Sequence, residues 1–329
     1  MGSTRDRSLR SLSGMNVTVR VNEPRVGAYL NTESQVFARY ALDSQIRQLE
    51  LAKPTLTVRA VEVGSGEPAL FLHGFGLCAA HWAPLLARLP SLHSVAIDMP
   101  GHGGTGGIDF RGENLREWFR EMLTSCLDKL GLESAHIVGH SQGGMIGMWL
   151  AIDAPERVRS LVVIGVPAVA FGGRMAAFRL LARPGIGPLL FRIPKPAFAY
   201  RRILAGTMGQ HAVDAYPDLV RATYLATRRS DHGPTVSTYL REMYAGVDAR
   251  PARYVLDDAE LARIDRPPLI VWGREDVDFQ PIADAQSRVA LIPNARFEVV
   301  RGGHEPWLDD ADVCANLLSG FQSTSGPSV

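Results

Sequence analysis

The chain has 329 residues, a length that allows one α/β core with an insertion as readily as two domains. Apolar residues make up 46% of the chain and charged residues 21%, which is typical of a globular protein with a large buried core. The formal net charge is +1, so the overall charge gives no indication of nucleic acid or of a strongly acidic partner.

The beginning of the chain and its cysteines exclude several classes of protein. No apolar run precedes residue 15, so we expect no secretory signal, and no stretch approaches the roughly 18 apolar residues of a spanning helix. We therefore expect a cytoplasmic protein without a membrane partner. Cys78, Cys126 and Cys314 are widely spaced and form no Cys-x-x-Cys motif, so neither a disulfide framework nor a zinc site is predicted.

The first 54 residues are predicted to be an N-terminal extension. Residues 1–30 show no clear period and predict a loosely docked lead-in. From Thr32 to Leu51 apolar residues recur roughly at helical spacing, and Pro54 ends the run, which predicts an amphipathic helix. This helix could cover the core, dock on a lid or mediate pairing with another chain.

The next part of the chain alternates short apolar runs with helical patterns. The predicted strands are Leu56–Val63, Ala69–His73, Ser94–Asp98, Ala135–His140 and Leu161–Gly165. The clearest helix lies between Asn114 and Leu130, with Gly131 at the position of a left-handed cap, and the helix Gln142–Ile152 is apolar nearly all round. Strands that alternate with helices at this spacing predict a mostly parallel sheet covered on both faces.

The alternation of strands and helices stops at Val166 and is replaced by a mainly helical insertion. Its clearest helices are Arg174–Leu181 and Val236–Tyr244. The α/β pattern then returns with three further elements and a closing segment: Pro268–Trp272, Pro281–Leu291, Phe297–Val300, and a helix from Trp307 to about Phe321. We therefore predict one α/β core, residues 55–167 and 263–329, interrupted by a helical lid at 168–262.

A five-residue motif, Gly139-His140-Ser141-Gln142-Gly143, follows a predicted strand and opens a predicted helix. This is the context of a Gly-x-Ser-x-Gly nucleophile elbow, in which the serine lies on a sharp turn. Side chains at 139 and 143 would collide with the neighbouring strand and helix, so both positions need glycine. The alternative is a glycine-rich turn without chemistry.

Together with its neighbours, the motif resembles the α/β-hydrolase family over roughly residues 55–322. His73-Gly74-Phe75-Gly76 is similar to the oxyanion loop of that family, and Asp98-Met99-Pro100-Gly101-His102-Gly103 is similar to the loop after its next strand. The resemblance implies an α/β-hydrolase fold. It also implies that the backbone N–H groups of Phe75 and Gln142 bind the oxyanion.

The resemblance also implies where the acid and the base of a catalytic triad lie. In this family the acid follows the strand after the lid and the base follows the last strand, which nominates Asp276 and His304 as partners of Ser141. The order Ser, Asp, His is the hydrolase order. Glu275 and Asp278 remain alternatives to Asp276.

The other histidines compete with His304 for the role of base. His73 belongs to the oxyanion loop, and His140 precedes the nucleophile, where packing is the expected role. The remaining rivals, which could reach the cleft but do not follow a strand, are His102, His211 and His232.

The predicted activity is that of a serine hydrolase that cleaves an ester, thioester or lactone through an acyl-enzyme, without cofactor or metal. Serine rather than aspartate at 141 disfavours the haloalkane dehalogenases and epoxide hydrolases of the family. Hydrolysis of carbon–carbon bonds, a cyclase, lyase or acyltransferase reaction, and a ligand receptor remain alternatives. We expect a small, largely apolar substrate and a monomer or homodimer.

The charge of the lid gives a further indication of the substrate. Residues 168–232 contain ten Lys or Arg and three Asp, a local surplus of positive charge. One interpretation is a cap that attracts an anionic acid or a carrier-bound thioester, and the other is a solvated helical surface.

Overall fold

A computed structural model of the chain describes residues 24–165, 175–193, 195–244, 255–276 and 281–324. Eight strands form a single sheet: β1 (Ser44–Leu51), β2 (Leu56–Val63), β3 (Glu67–Leu72), β4 (Leu92–Ile97), β5 (Ala135–His140), β6 (Val158–Ile164), β7 (Pro268–Gly273) and β8 (Arg296–Val300). The strand order is β1-β2-β4-β3-β5-β6-β7-β8. The first two pairings, β1 with β2 and β2 with β4, are antiparallel, and the others are parallel. The predicted mostly parallel sheet is confirmed.

Helices cover both faces of this sheet. In chain order the α-helices are α1 (Pro24–Arg39), α2 (Ala83–Leu86), α3 (Leu115–Leu130), α4 (Gln142–Asp153), α5 (Met175–Ala182), α6 (Ile186–Arg192), α7 (Ala197–Met208), α8 (Gln210–Ala215), α9 (Pro217–Ala226), α10 (His232–Met243), α11 (Asp258–Ala262), α12 (Ile282–Val289) and α13 (Ala311–Thr324). Short 3-10 helices occupy Ala79–Trp82, Pro155–Arg157 and Pro306–Leu308. None of the helices in the described ranges is long and apolar enough to cross a membrane.

Side chains alternate between two apolar layers, one on each face of the sheet. Leu70 and Leu72 of β3 pack in the layer that contains α3, α4 and α12. Phe71, between them, packs in the layer that contains α1, α2 and α13. The helix α4 is buried on every side, as its apolar sequence predicts. The burial of its N-terminal end fixes the position of the residue before it, Ser141.

The N-terminal extension differs from the prediction. The helix α1 begins at Pro24, inside the predicted lead-in, and ends at Arg39, where Ala41 adopts a positive φ of 52°. The predicted helix from Thr32 to Leu51 is therefore wrong beyond Arg39, since Ser44–Leu51 is the edge strand β1. This strand belongs to the sheet rather than to an extension that ends at residue 54. The remaining domain boundaries stay a prediction.

Two sets of contacts attach α1 to the rest of the molecule. Arg39 forms a salt bridge of 3.1 Å with Asp218 at the start of the lid helix α9. On the core side, the buried Glu33 receives a hydrogen bond of 2.6 Å from Tyr29 and pairs with Arg59 of β2. The helix therefore docks on the lid and on the core together. Pairing with another chain stays a prediction.

The buried Arg59 also connects the N-terminal helix to the loops at the end of the sheet. Its guanidinium donates to Asp98, which follows β4, at 2.9 Å. The Asp98 carboxylate accepts two further hydrogen bonds, from the N–H of Ala79 at 2.9 Å and from that of Gly104 at 2.8 Å. The loop after β3 and the loop after β4 are thus held by one carboxylate.

Candidate active site

The turn between β5 and α4 places Ser141 at the carboxyl edge of the sheet. Ser141 has φ 50° and ψ −115°, a strained conformation for a residue with a side chain. Its N–H donates to the carbonyl of Ile164 at the end of β6, at 2.8 Å. A Cβ at Gly143 would meet the carbonyl of Leu72 in β3, and a Cβ at Gly139 would meet the backbone of Gly143. The predicted strand–turn–helix geometry around Ser141 and its need for both glycines are confirmed, and the role of Ser141 as nucleophile stays a prediction.

The loop after β3 lies beside the serine. A Cβ at Gly74 would approach the Cβ of Ser141 to 3.1 Å and the Nδ1 of His140 to 2.6 Å, so only glycine fits there. The Phe75 peptide follows directly, and Gln142 is the first residue of α4, where backbone N–H groups have no partner within the helix. Both residues predicted to bind an oxyanion therefore flank Ser141 from adjacent segments.

The loop after β8 carries His304, and the loop after β7 carries Asp276. The Nδ1–H of His304 donates to Asp276 Oδ2 at 2.7 Å, and both side chains are buried. This bond orients the ring and makes Nε2 the nitrogen that would take part in the predicted proton transfer. Glu275 instead accepts a hydrogen bond from the N–H of Gly302, and Asp278 lies outside the described residues.

Two backbone hydrogen bonds and close packing against Gly165 hold His304 next to the elbow. The Nε2–H of His140, the residue before the serine, donates to the His304 carbonyl at 2.9 Å, and the two rings lie 4.6 Å apart. A Cβ at Gly165, which follows β6, would lie 2.9 Å from His304 Cε1 and Nδ1. The N–H of His304 donates to Thr207 of the lid helix α7 at 3.3 Å. The described geometry therefore brings Ser141, Asp276 and His304 to one edge of the sheet.

His140 has a positioning role that sequence reasoning assigned only to packing. Burial lowers the pKa of His140 well below its usual value, so the ring is neutral. Because Nε2 carries the proton that the His304 carbonyl accepts, Nδ1 is unprotonated, and it has no partner among the described residues. The hydrogen bond from His140 fixes the backbone of His304 rather than its ring.

A second group of histidines supports the loop after β3, and sequence reasoning missed its role. His102 Nε2 accepts the N–H of Gly76 at 3.1 Å, and His73 Nε2 accepts the N–H of Met99 at 2.9 Å. His232 of the lid helix α10 donates from Nδ1 to the Gly101 carbonyl at 2.9 Å. Burial lowers the pKa of His73 and of His232 to about 4, and it also lowers the pKa of His102 well below its usual value. His211, the other rival base, is exposed and bonds Asp309.

Glu305, the residue after His304, belongs to a buried chain of contacts that reaches the lid. Its carboxylate bonds His81 Nδ1 at 2.6 Å, and His81 Nε2 lies 2.6 Å from the Thr223 hydroxyl of α9. The indole N–H of Trp307 donates to the His81 carbonyl at 2.8 Å. No sequence motif marks this group, because its members come from three distant segments.

A cavity of about 1200 Å³ opens between the core and the lid, and both Ser141 and His304 line it. The exposed surface of its wall is mainly apolar, and Phe75 and Phe178 contact each other across the boundary of core and lid at 5.3 Å between ring centroids. The volume exceeds the roughly 300–1,000 Å³ of common ligand pockets. A substrate with a sizeable apolar part fits this space.

The wall of the cavity also carries more positive than negative charge. Arg111 and Arg229 are paired with Asp109 and Asp231 respectively, so these four groups neutralise one another. The other charged side chains of the wall are five cations and one carboxylate: Arg183, Arg192, Lys195, Arg228, Arg241 and Glu305. The mouth therefore favours an anionic group.

Within the described ranges, no three His, Cys, Asp or Glu side chains are grouped so as to hold a metal ion. The expectation that the reaction needs neither a metal nor a cofactor stays a prediction. The three cysteines are free and buried.

Comparisons with known proteins agree with the fold. A model described as "Alpha/beta hydrolase family" matches residues 69–317. The chain is 38% identical over 266 residues to the protein named "Putative carbamate hydrolase RutD" of Azorhizobium caulinodans, with 78% of this chain and 92% of the relative covered. It is 28% identical over 277 residues to the 2-hydroxy-6-oxononadienedioate/2-hydroxy-6-oxononatrienedioate hydrolase of Paraburkholderia phymatum, with 81% and 91% covered.

Among solved structures, the carboxylesterase CesB from Bacillus subtilis superimposes with a TM-score of 0.73. The match covers 91% of this chain and 98% of the esterase at 21% identity. At that identity the likeness establishes the fold alone.

Proposed function

Because the chain belongs to the alpha/beta hydrolase family and is a hydrolase, we propose that it cleaves an acyl bond through Ser141, His304 and Asp276. The observation that carries the proposal is the 2.7 Å hydrogen bond between His304 and Asp276 beside the strained turn of Ser141. A serine hydroxyl is a weak nucleophile at neutral pH, and it needs a base that a third group orients.

In the proposed reaction, His304 Nε2 takes the proton of Ser141 as the hydroxyl oxygen attacks the acyl carbon. Asp276 stabilises the imidazolium that forms, and the N–H groups of Phe75 and Gln142 bind the oxyanion. His304 then protonates the leaving group. Water, activated by the same ring, hydrolyses the acyl-enzyme and restores the serine.

The proposed substrate is a small, largely apolar ester, thioester or lactone. The apolar wall of the cavity supports an apolar acyl or alcohol part, and the Phe75–Phe178 contact lies at the boundary where such a part would enter. The excess of cations over carboxylates on the cavity wall supports an additional anionic group, either a free carboxylate or the phosphate of a carrier-bound thioester.

A second candidate function is hydrolysis of a carbon–carbon bond next to a ketone. The observation that favours it is the cationic mouth, taken with the name of the Paraburkholderia relative, which denotes a dicarboxylate. In that reaction the leaving group is a carbanion, so the proton must reach carbon rather than oxygen. The same triad would serve both reactions.

The first experiment is labelling of the whole protein with a fluorophosphonate probe, followed by a panel of aryl esters, thioesters, lactones and dicarboxylate diketones. We expect the probe to modify Ser141, and the variant Ser141→Ala to lose both labelling and turnover. An enzyme that hydrolyses esters equally well after this substitution would refute the mechanism. Absence of labelling in the native protein would favour a ligand receptor.

A further inference from the structure

The outer face of the lid exposes an unusual number of large apolar side chains. Of the ten large hydrophobic residues most exposed in the described part of the chain, six lie between residues 180 and 203. They are Leu180, Ile186, Leu189, Ile193, Phe198 and Ile203, and Phe198 is 75% exposed. Scattered single hydrophobics are common on protein surfaces, whereas a concentration in one short segment indicates a binding surface.

The helix α6 shows that this exposure follows a helical face. Ile186 and Leu189, spaced as i and i+3 on the helix, are both exposed, and so is Ile193, which follows the helix in an extended conformation. The opposite side faces inward: Gly187 is buried against Leu181, and the Phe191 ring lies 6.0 Å from that of His232. The helix α6 therefore carries apolar side chains on its exposed side as well as on the side that faces the molecule.

The helix α7 repeats the arrangement. Leu204 and Met208 are buried, and Tyr200, one turn earlier, lines the cavity. The exposed side of α7 carries Phe198 and Arg202, which lie one turn apart and each two residues before a member of the inward-facing set. An apolar ring and a cation thus stand side by side on the outer face of α7.

The charge of this segment is entirely positive. No Asp or Glu occurs between Glu156 and Asp214. Within the same region the described helices α5 to α7 and their connections carry six cations: Arg179, Arg183, Arg192, Lys195, Arg201 and Arg202. Exposed apolar side chains flanked by Lys and Arg are the composition of surfaces that insert shallowly into an anionic bilayer.

We propose that the outer face of α5 to α7 docks on an anionic membrane surface. The exposed Leu189 and Phe198 would enter the boundary between head groups and acyl chains, and the surrounding cations would contact lipid phosphates. Ile193 and Ile203 are exposed and also line the cavity, so docking would place the cavity mouth at the lipid surface. The proposal does not depend on the chemistry of Ser141.

The proposed membrane docking differs from the expectation, drawn from the sequence, that the protein has no membrane partner. That expectation rests on the absence of a long apolar run, a criterion that only a spanning helix meets. A peripheral surface needs only a few exposed apolar residues and positive charge, and both appear once the burial of each side chain is known.

The experiment is co-sedimentation of the full chain with vesicles of phosphatidylcholine alone or mixed with an equal amount of phosphatidylglycerol. We expect binding to the mixed vesicles that weakens as salt is added, and little binding to phosphatidylcholine. The double variant Leu189→Asp with Phe198→Asp should weaken binding about tenfold or more. Val313→Asp, at a 41% exposed position on α13, is the matched control and should bind as the native chain does.

A second pair of variants tests the charges without altering the apolar residues. Arg202→Glu should weaken binding to the mixed vesicles several-fold, whereas Arg120→Glu on α3 should not. Circular dichroism of each variant without vesicles reports that the fold is intact, independently of lipid and of the chemistry at Ser141.

Three outcomes would overturn the proposal. They are equal sedimentation with and without phosphatidylglycerol, binding that the lid variants leave unchanged, and self-association of the native chain that Leu189→Asp with Phe198→Asp abolishes. The last would make this face an interface between two copies.

Discussion

The carboxyl edge of the sheet and the outer face of the lid differ in which side chains they bury: the edge buries polar side chains, and the outer lid exposes apolar ones. At the edge, polar side chains are buried and bonded: Asp276 is 1% exposed and His304 is 6% exposed, and their separation is fixed by one hydrogen bond. On the outer lid, apolar side chains such as Leu189 are exposed at 60%. Under the two proposals, the first region determines the reaction by its geometry, and the second binds a membrane surface by its composition.

The comparison teaches which changes each region tolerates. A shift of about 1 Å at the edge misaligns reacting groups and costs on the order of 10²-fold in rate. A change on the outer lid leaves that geometry intact, because its side chains lie outside the bonded network. Predictions about the edge therefore concern turnover, and they can be ordered by how directly each residue meets the substrate.

The largest effect is expected for Ser141→Ala. Removal of the nucleophile should lower kcat on the best ester substrate by about 10⁶-fold. Steady-state kinetics with purified protein checks this value. A loss of less than about 10²-fold would mean that the edge of the sheet is not the site of the chemistry.

Asp276→Asn should come next, with a loss of about 10⁴-fold in kcat, because an amide no longer stabilises the imidazolium and disturbs the tautomer of His304. Glu275→Gln is the control, since Glu275 bonds the Gly302 N–H rather than the ring. If Glu275→Gln lowered kcat more than Asp276→Asn does, the acid of the triad would be Glu275 rather than Asp276.

Gly165→Ala should lower kcat about 10²-fold, because the new methyl group would lie 2.9 Å from the His304 ring and displace it. Gly112→Ala is a matched control: Gly112 also has a positive φ, of 80°, but a Cβ there meets nothing within 4 Å. The control should lose stability and keep its turnover. Equal losses of kcat in the two variants would attribute the effect to backbone strain instead.

The smallest effect concerns stability and pH. His73 and His232 have a pKa of about 4 in the folded protein, below the ordinary value of 6.5, so below pH 6.5 the unfolded chain binds protons that the folded chain does not. Stability is therefore complete above about pH 6.5 and declines as the pH falls toward 4, by up to about 1.4 kcal/mol per pH unit for each histidine.

Urea unfolding at about pH 7 and about pH 5 tests this decline, with His232→Asn as the comparison. The amide of Asn can still donate to the Gly101 carbonyl, so the variant should lose less free energy of unfolding between the two pH values than the native chain. Identical losses would show that His232 does not contribute to the pH dependence.

Much of the fold and the candidate site was predictable from the sequence because backbone requirements restrict the residue types there. Gly139 and Gly143 are predictable since a side chain would collide with β3 or α4, and β5 was predicted with its observed ends because its apolar run stops at the elbow. The helix α3 was equally clear, since its apolar stripe ends at the left-handed Gly131.

The failures have physical causes as well. In Ser44–Leu51 only Leu49 and Leu51 are buried, so the strand shows little of the alternation of apolar and polar residues that would identify it. The helical spacing of the preceding residues therefore led to the prediction of a helix up to Leu51. The support that His102 gives to Gly76, and His140 to His304, depends on contacts between distant segments. Exposure of Phe198 could not be inferred either, because the sequence does not state which side of a lid helix meets the core.

The carboxylate of Glu33 has a consequence for shortening the chain from its beginning. Arg59 is almost fully buried between Glu33 and Asp98, so a protein that starts at β1 would keep two charges of opposite sign where there had been three. The hydrogen bonds from Arg59 to Glu33 would be lost, and within the described residues the guanidinium would keep Asp98 as its carboxylate partner. Without Glu33, the Arg59 side chain would shift and displace Asp98, which accepts hydrogen bonds from the backbone N–H groups of Ala79 and Gly104. Trimming the first helix would thus loosen the far end of the sheet, although none of the trimmed residues touches a substrate.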